Sequence, residues 1–447
     1  MGPVQGKGVE MTGVDSDLLL DPAVQKNPFP YYQHLREHAP VFRMPGTGFY
    51  VLTRYEDLRT VLRDPETFSN TLDLEELSGE RASRLGALFN ERLAEKGWGH
   101  VPTLHQSDPP EHTRYRRLLN KVFSPGRVRQ MVPGVEGICD RLIDAFIDSG
   151  RCEFVSEFAF PLPGIVISEQ LGLAPGQIGT FRLWADAMLA PAQGLLTDED
   201  AVIRYADIEA EAQHYLADVF DDRRAHPGSD LISALVAASS EEERPLTMHE
   251  LQNLMHQLIT GGYITTADGI TSAMWLLIEN PDQMRRVRAD RSLIKAFAEE
   301  SLRMLAPVQG LFRKATRDVE IHGVTIPAGS ILHVRYGAAN RDAGAFENPD
   351  HFDVAREHVM RHMSFGQGPH ACVGAPLARQ EMVTAFERLL DRLDDIRLDA
   401  GQRDGGQRDG GQRDGGQRDS QRDGGQPPER NEGLLFYSFR TLPIQFT

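Results

Sequence analysis

Residues 362–390 read HMSFGQGPHACVGAPLARQEMVTAFERLL. Cys372 follows a glycine-rich loop and precedes a run with apolar residues three and four positions apart, which predicts an amphipathic helix that begins near Pro376. Because a helix N-terminus carries partial positive charge and unpaired N–H groups, it lowers the pKa of a nearby thiol and binds its sulfur. Glycines would also let the backbone pass close beneath a flat ring system. Three flank the cysteine: Gly366, Gly368 and Gly374. We therefore expect a thiolate at this position.

The same loop resembles the haem-binding signature FxxGxHxCxG of the cytochrome P450 family. The matching residues are Phe365, Gly368, His370, Cys372 and Gly374. The resemblance implies a mainly α fold with small β-sheets and a long central helix over the haem. It also implies that Cys372 is the axial ligand of the iron of haem b, with O₂ as cosubstrate. Phe365, Gly366 and His370 would then contact the haem.

The composition indicates a folded, acidic protein. Hydrophobic residues at 40% and charged residues at 25% are near the globular average. The 48 Lys and Arg against 65 Asp and Glu give a net charge of −17, which disfavours nucleic acid as a partner. No apolar run approaches the roughly 20 residues of a spanning helix, so we expect no membrane anchor. Three cysteines without zinc spacing suit a reducing compartment and predict a cytoplasmic location; we interpret Cys139 and Cys152 as ordinary buried residues.

Helical periodicity dominates from about residue 110 onward, and its longest run covers 250–280. That run follows Thr247, a plausible N-cap, and stops before Pro281, which predicts a central helix. Strand patterns are fewer and cover 41–54, 319–336 and 434–446. Residues 401–428 form a low-complexity GQRDG repeat, which predicts a disordered loop inside a single haem-thiolate domain spanning 1–447.

Glu300 and Arg303 stand three positions apart and so share one helix face. Such pairs are most often solvated surface contacts of little energetic value. The cytochrome P450 family, however, has an ExxR motif here, together with an arginine that follows a PxxF segment. The residues Pro349, Phe352 and Arg356 supply that segment. The resemblance therefore predicts a buried Glu–Arg–Arg network that braces the cysteine loop.

Haem carries two propionates, which need cationic or hydrogen-bonding partners. His112 and Arg116 are four residues apart in DPPEHTRYRRLL, the segment that matches the helix beside the haem. Arg313 matches a strand position, and His362 lies just before the cysteine loop. The resemblance implies that these four side chains bind the propionates; the less favoured alternative for any one of them is a solvated surface residue.

The central helix contains the family pattern (A/G)GxxT in Gly261, Gly262, Thr265 and Thr266. Paired glycines weaken a helix and a threonine can bond back to a carbonyl, so a local opening is expected, in which dioxygen could bind. The resemblance implies that Thr265 stabilises bound oxygen and orders the water that delivers protons. Ile264 occupies the position of the usual acid and cannot relay a proton. Asp268 is a possible substitute, with a structural role equally open.

Family positions place the substrate pocket along 72–105, the central helix and two further short segments. The predicted contacts in those segments are Gln309, Leu311, Leu435 and Phe436. Most of these positions are apolar, which favours a hydrophobic small organic substrate. The chain has no GxGxxG fingerprint, so electrons would come from a separate ferredoxin or flavodoxin with its NAD(P)H reductase. A basic patch on the helix beside the haem would receive that partner: Arg114, Arg117 and Lys121.

The leading interpretation is a haem-thiolate monooxygenase that inserts one oxygen atom from O₂ into its substrate. Two alternatives remain open. The missing acid at position 264 would suit a peroxide-using or isomerising haem-thiolate enzyme. A non-catalytic haem sensor would need neither Thr265 nor an electron donor.

Overall fold

The computed structural model describes residues 18–72, 77, 79–173, 177–242, 244–399 and 428–447. The predicted GQRDG loop therefore lies almost entirely outside the described residues. The helices are α1 Pro22–Lys26, α2 Phe29–His38, α3 Tyr55–Arg63, α4 Glu80–Lys96, α5 Glu111–Val122, α6 Pro125–Asp144, α7 Pro161–Gln170, α8 Ile178–Leu189, α9 Glu199–Ala225, α10 Leu231–Ser240, α11 Met248–Glu279, α12 Pro281–Ala289, α13 Ile294–Met304, α14 Tyr336–Ala339 and α15 Ala375–Arg392.

The strands are short, as the few alternating segments predict. They are β1 Val41–Arg43, β2 Tyr50–Leu52, β3 Phe68–Ser69, β4 Arg151–Glu153, β5 Leu311–Ala315, β6 Val319–Ile321, β7 Val324–Ile326, β8 Ile331–Val334, β9 Arg397–Leu398 and β10 Pro443–Gln445. The five-stranded sheet has the order β1-β2-β8-β5-β3. Strands β2 and β8 are parallel, and all other neighbouring strands in this sheet are antiparallel. In the C-terminal segment only β10 is a strand; Phe436 adds an isolated bridge to Val308.

The central helix α11 begins and ends where its local signals predict. The Thr247 hydroxyl accepts the Glu250 N–H, and the Glu250 carboxylate accepts the Thr247 N–H, so the two residues form a capping box. Asn280 ends the helix and Pro281 starts the next one. Most of the helix circumference is buried, because α7, α8, α13 and α15 pack around it. The helix therefore forms the centre of the main hydrophobic core.

The cysteine loop lies between the main core and the core of the five-stranded sheet. α15, which follows the loop, packs against α6, α11 and α13. The sheet core includes Leu58 and Leu62 of α3, together with Met363 at the start of the loop. The loop is thus held by helices on one side and by the sheet on the other. Among the described residues, no helix is long and apolar enough to cross a membrane.

Candidate active site

Cys372 is exposed, whereas Cys139 and Cys152 are buried. The Cys372 N–H donates to the Phe365 carbonyl at 2.7 Å, which closes the loop into a tight turn. Gly368 has φ +73°, and a Cβ there would lie 2.1 Å from the carbonyl oxygen of Leu62. Only glycine fits at this position, because the loop backbone passes directly over the end of α3. The predicted need for glycine therefore has a physical cause at Gly368, but the close contact is with the backbone of α3 and not with a flat ring system.

The thiol of Cys372 lies beside the N-terminus of α15, as predicted. Burial raises its pKa, and the N–H groups of Gly374 and Ala375 and the charges of Arg116 and Arg379 oppose that rise. The net direction is upward, so the predicted lowering of the thiol pKa is wrong for the protein alone. A coordinated metal ion removes the proton of a thiol outright, and the two N–H donors would then support the thiolate.

Two histidine rings lie in contact next to the cysteine loop. The rings of His112, from α5, and His370 lie 3.9 Å apart between centroids. Both Nε2 atoms are buried and have no hydrogen-bond partner. Burial lowers the pKa of both rings, and it is assisted by the charge of Arg116; the pKa of His370 falls to about 3, with Arg313 contributing. Two neutral imidazoles with free nitrogens therefore lie within a positive field.

Arg116 and Arg313 supply that field. Arg116 donates to the carbonyl of Ala371 and, through Nε, to Asn120 Oδ1 at 3.1 Å. Arg313 is buried on β5, where it contacts Tyr336 and its burial lowers its pKa. Unpaired nitrogens and guanidinium charges beside an exposed cysteine fit a ligand that combines a metal with carboxylates, and haem is such a ligand.

The prediction that His362 binds a propionate is wrong, because both of its ring nitrogens are engaged elsewhere. Its Nε2 lies 2.8 Å from Glu299 Oε2, and its Nδ1 accepts the N–H of Ser364 at 3.2 Å. Glu299 also accepts from Nε of Arg379 at 2.6 Å, and the Arg379 guanidinium lies 4.4 Å from the Phe365 ring centroid. These residues brace the loop. Sequence reasoning missed Glu299 and Arg379, which carry no family pattern quoted above.

The structure brings the predicted Glu–Arg–Arg network together. Glu300 and Arg303 are fully buried and form a two-pronged ion pair, with Nε–Oε2 2.7 Å and Nη2–Oε1 2.8 Å. Arg356 Nε lies 3.0 Å from both carboxylate oxygens. Arg303 also donates to the carbonyl of Asn340, and the Asn340 side chain accepts the N–H of Met363. The network therefore reaches the start of the cysteine loop through Asn340.

On α11, the hydroxyl of Thr265 donates to the Gly261 carbonyl at 2.6 Å, as the threonine pattern predicts. A Cβ at Gly262 would lie 2.8 Å from Ile167 Cδ1, so α7 approaches the helix closely at this point. Gly261 is exposed and Thr266 is buried. The helix remains continuous through the glycines, and the predicted opening is limited to the bond that the threonine makes.

No acid stands beside Thr265 on this face. Ile264 is half-buried and packs against the main core. Asp268 is buried, its Oδ2 has no hydrogen-bond partner, and burial raises its pKa well above the ordinary value. Burial without a partner for Oδ2 therefore favours the protonated form of the Asp268 carboxyl.

Two of the segments predicted to line the pocket are adjacent, but one of their side chains does not face a pocket. The Gln309 N–H donates to the Leu435 carbonyl at 2.7 Å, so the two segments are adjacent. Gln309 itself is 1% exposed, and its amide bonds Tyr32 and the Ala306 carbonyl. Its prediction as a substrate contact is wrong, because its polar atoms are taken up by the protein. Leu311 is 42% exposed.

The predicted basic patch on α5 is not a field of free cations. Each of its side chains is paired with an acidic residue from the segment between α10 and the start of α11. The pairs are Arg114 with Glu250 at 3.1 Å, Arg117 with Glu242, and Lys121 with Glu241 at 2.7 Å. The expectation of an uncompensated basic surface is therefore wrong.

The fold and this cluster of cysteine, histidine and arginine side chains define a haem-thiolate class of protein. Residues 202–396 match the family model described as Cytochrome P450. Similar curated proteins include cytochrome P450 monooxygenase PikC of Streptomyces venezuelae, 35% identical over 83% of this chain and 85% of that protein. Another is 6-deoxyerythronolide B hydroxylase of Saccharopolyspora erythraea, 35% identical over 82% of this chain and 89% of that protein.

Among solved structures, cytochrome P450 CYP109Q5 from Chondromyces apiculatus superposes with a TM-score of 0.80. It is 31% identical, and the match covers 97% of this chain and 99% of that one. The chain belongs to the cytochrome P450 family and is a haem-dependent monooxygenase with the mainly α fold of that family.

Proposed function

We propose that the chain binds haem b with Cys372 as the axial ligand and inserts one oxygen atom from O₂ into a hydrophobic small organic substrate. The observation that carries this proposal is the exposed cysteine between two N–H donors and the adjacent His112–His370 pair. When bound, the haem supplies O₂ activation and electron transfer. One oxygen atom enters the substrate and the other leaves as water, using two electrons and two protons from outside the substrate.

The proximal residues hold and orient the haem. With haem bound, the free Nε2 atoms of His112 and His370 would donate to the propionates, and Arg116 and Arg313 would offset the propionate charge. Gly374 and Ala375 direct their N–H groups at the Cys372 sulfur and limit its donation of charge. These residues would hold the haem in place.

The distal residues handle protons and exclude water. Thr265 holds its hydroxyl on the Gly261 carbonyl and can turn it to a bound water without breaking the helix ladder. Ile264 supplies no proton, and Asp268 is buried. Protons therefore reach the site through Thr265, water and polar groups of the substrate. Exposed Leu311 and half-buried Leu435 and Phe436 offer an apolar surface for that substrate.

Electrons come from a separate protein, a ferredoxin or flavodoxin with its NAD(P)H reductase, and the enzyme works in the cytoplasm. This proposal rests on the missing dinucleotide fingerprint and on the reaction named for the relative 6-deoxyerythronolide B hydroxylase, which is the type proposed here. A partner would have to compete with Glu241 and Glu242 for the α5 cations, so docking should weaken with salt only modestly.

The test is the absorption spectrum of the reduced, CO-bound holoprotein. The wild type should show the red-shifted Soret band of a thiolate ligand, and Cys372→Ser should lose it. Cys152→Ala is the matched control, since that thiol is buried away from the loop and burial raises its pKa. An unchanged band in Cys372→Ser would refute the ligand assignment.

Ile264 supports one alternative, a peroxide-driven reaction that bypasses reductive proton delivery. Product formation with hydrogen peroxide, and none with reductase, ferredoxin and NAD(P)H, would establish that alternative. The reverse result supports the reductive reaction.

A further inference from the structure

Three side chains far apart in the sequence meet beside the central helix. They are His100, in the segment after α4; Glu209, on α9; and His256, on α11. His100 Nε2 lies 2.7 Å and His256 Nδ1 lies 3.0 Å from the same oxygen, Oε1 of Glu209. The two imidazole rings lie 4.6 Å apart between centroids. We call these three residues the His–Glu–His cluster.

The cluster has the donor set and the spacing of a zinc site. Two histidines and one glutamate form a recognised Zn²⁺ ligand set, with a fourth position left for water. Metal–ligand bonds of about 2.0–2.2 Å in a tetrahedron place ligand atoms about 3.3–3.6 Å apart. One ligand atom from each residue already lies within 4.8 Å of the others. Opening the required gap from Glu209 takes a shift of about 0.6–0.9 Å for His100, now at 2.7 Å, and of about 0.3–0.6 Å for His256, now at 3.0 Å.

An independent observation points to a missing ligand. Glu209 is fully buried, and its second oxygen, Oε2, has no hydrogen-bond partner. Buried carboxylate oxygens are almost always satisfied, because an unmet acceptor loses its hydration without compensation. Two imidazole N–H groups share the other oxygen, so protein contacts alone leave this carboxylate half used. A cation bound between the histidines and Glu209 would satisfy it.

Hydrogen bonds hold the backbone in place on both sides of His100. Gln213, one turn after Glu209 on α9, accepts the Trp98 N–H at 2.7 Å and donates to the Trp98 carbonyl at 2.9 Å. Asn253, on α11, donates to the Val101 carbonyl at 2.6 Å. The backbone on each side of His100 is therefore fixed to the same two helices that carry the other ligands. Such outer contacts orient metal ligands and raise affinity.

We propose that His100, Glu209 and His256 bind one divalent transition-metal ion of the zinc class. Imidazole nitrogen favours such ions over Mg²⁺ and Ca²⁺, which prefer all-oxygen sites. The bound ion ties the segment after α4 and helix α9 to the central helix. His256 stands nine residues before Thr265, which corresponds to about 13 Å along the helix, so the ion stays out of the oxygen site. The proposal does not depend on the reaction proposed above.

The test uses the haem-loaded full-length protein, treated with a chelator and then dialysed against Zn²⁺. Bound zinc is counted by mass spectrometry beside iron, which reports haem separately, and affinity is measured by calorimetry. We expect one zinc per chain, a higher Tm, and slower amide exchange in residues 97–103. His256→Ala and His100→Gln should each lower the affinity at least tenfold. His226→Ala, an exposed histidine at the end of α9, should leave it unchanged.

Two results would overturn the proposal. No zinc bound to the wild type would mean that the cluster is hydrogen-bonded only. Equal zinc affinity in the wild type and in His100→Gln would mean that the ion binds elsewhere on the surface. His100→Gln keeps the test decisive if the more buried His256→Ala variant does not fold.

Discussion

Gly368→Ala should destabilise the protein far more than the same change at another glycine with a similar backbone. At Gly368 φ is +73°, and a Cβ would lie 2.1 Å from the Leu62 carbonyl oxygen. An L-residue in this region costs roughly 1–2 kcal/mol. Overpacking against the backbone adds about 1–3 kcal/mol, because α3 cannot yield as a side-chain tip would. The expected loss in the free energy of unfolding is therefore about 2–5 kcal/mol.

Gly323→Ala separates these two costs. Gly323 has φ +74°, and nothing lies within 4 Å of its Cβ position, so only the conformational cost of about 1–2 kcal/mol applies. Urea unfolding of both variants measures the difference. The Ala371 N–H donates to the Gly368 carbonyl, so a shifted loop should also displace Cys372 and weaken the thiolate band of the CO complex. Equal stability losses with an unchanged band in Gly368→Ala would refute the reasoning.

Three further predictions concern buried charge and protons. Arg356→Ala leaves Glu300 with one cationic partner, and urea unfolding should show a loss of about 3–5 kcal/mol in the free energy of unfolding. The partly exposed ion pair of Arg388 with Asp140 gives the control, since Arg388→Ala should lower that free energy by under about 1 kcal/mol. Burial raises the pKa of Glu381 to about 8, above its unfolded value, so stability should fall as pH rises from about 5 to 8, by at most about 1.4 kcal/mol per pH unit. Glu381→Gln should flatten that slope, and an unchanged slope would contradict the assignment. Ile264→Glu should change the fraction of electrons lost as peroxide during turnover; identical coupling with several substrates would exclude a proton-delivery role for position 264.

Local signals predicted the central helix and the cysteine loop well. Thr247, Glu250 and Pro281 mark the ends of α11 through contacts within a few residues, and such contacts are visible in a sequence. The Glu300–Arg303 pair likewise spans one helical turn. The match to a family signature then supplied the cofactor, which no periodicity could indicate.

The wrong predictions for Gln309 and His362 share a different cause, since each depended on a partner distant in the chain. Gln309 was predicted to contact the substrate, but its amide oxygen accepts a hydrogen bond from Tyr32, which lies 277 positions earlier. His362 lies just before the cysteine loop in the sequence, but its Nε2 is hydrogen-bonded to Glu299, 63 positions earlier. The His–Glu–His cluster escaped detection for the same reason, because 109 residues separate His100 from Glu209. Spacing carries no information about contacts of this kind.

The two faces of the haem site are constrained to different degrees. On the proximal side, the chain itself fixes two N–H donors, the adjacent histidines His112 and His370, and the buried Glu300 network. On the distal side, Thr265 bonds its own helix, and Ile264 offers no proton. If the proposed proton route through water and the bound molecule operates there, substrate fit should govern how efficiently electrons yield product. We therefore expect the same substrate contacts to govern both which molecule reacts and what fraction of the electrons yields product.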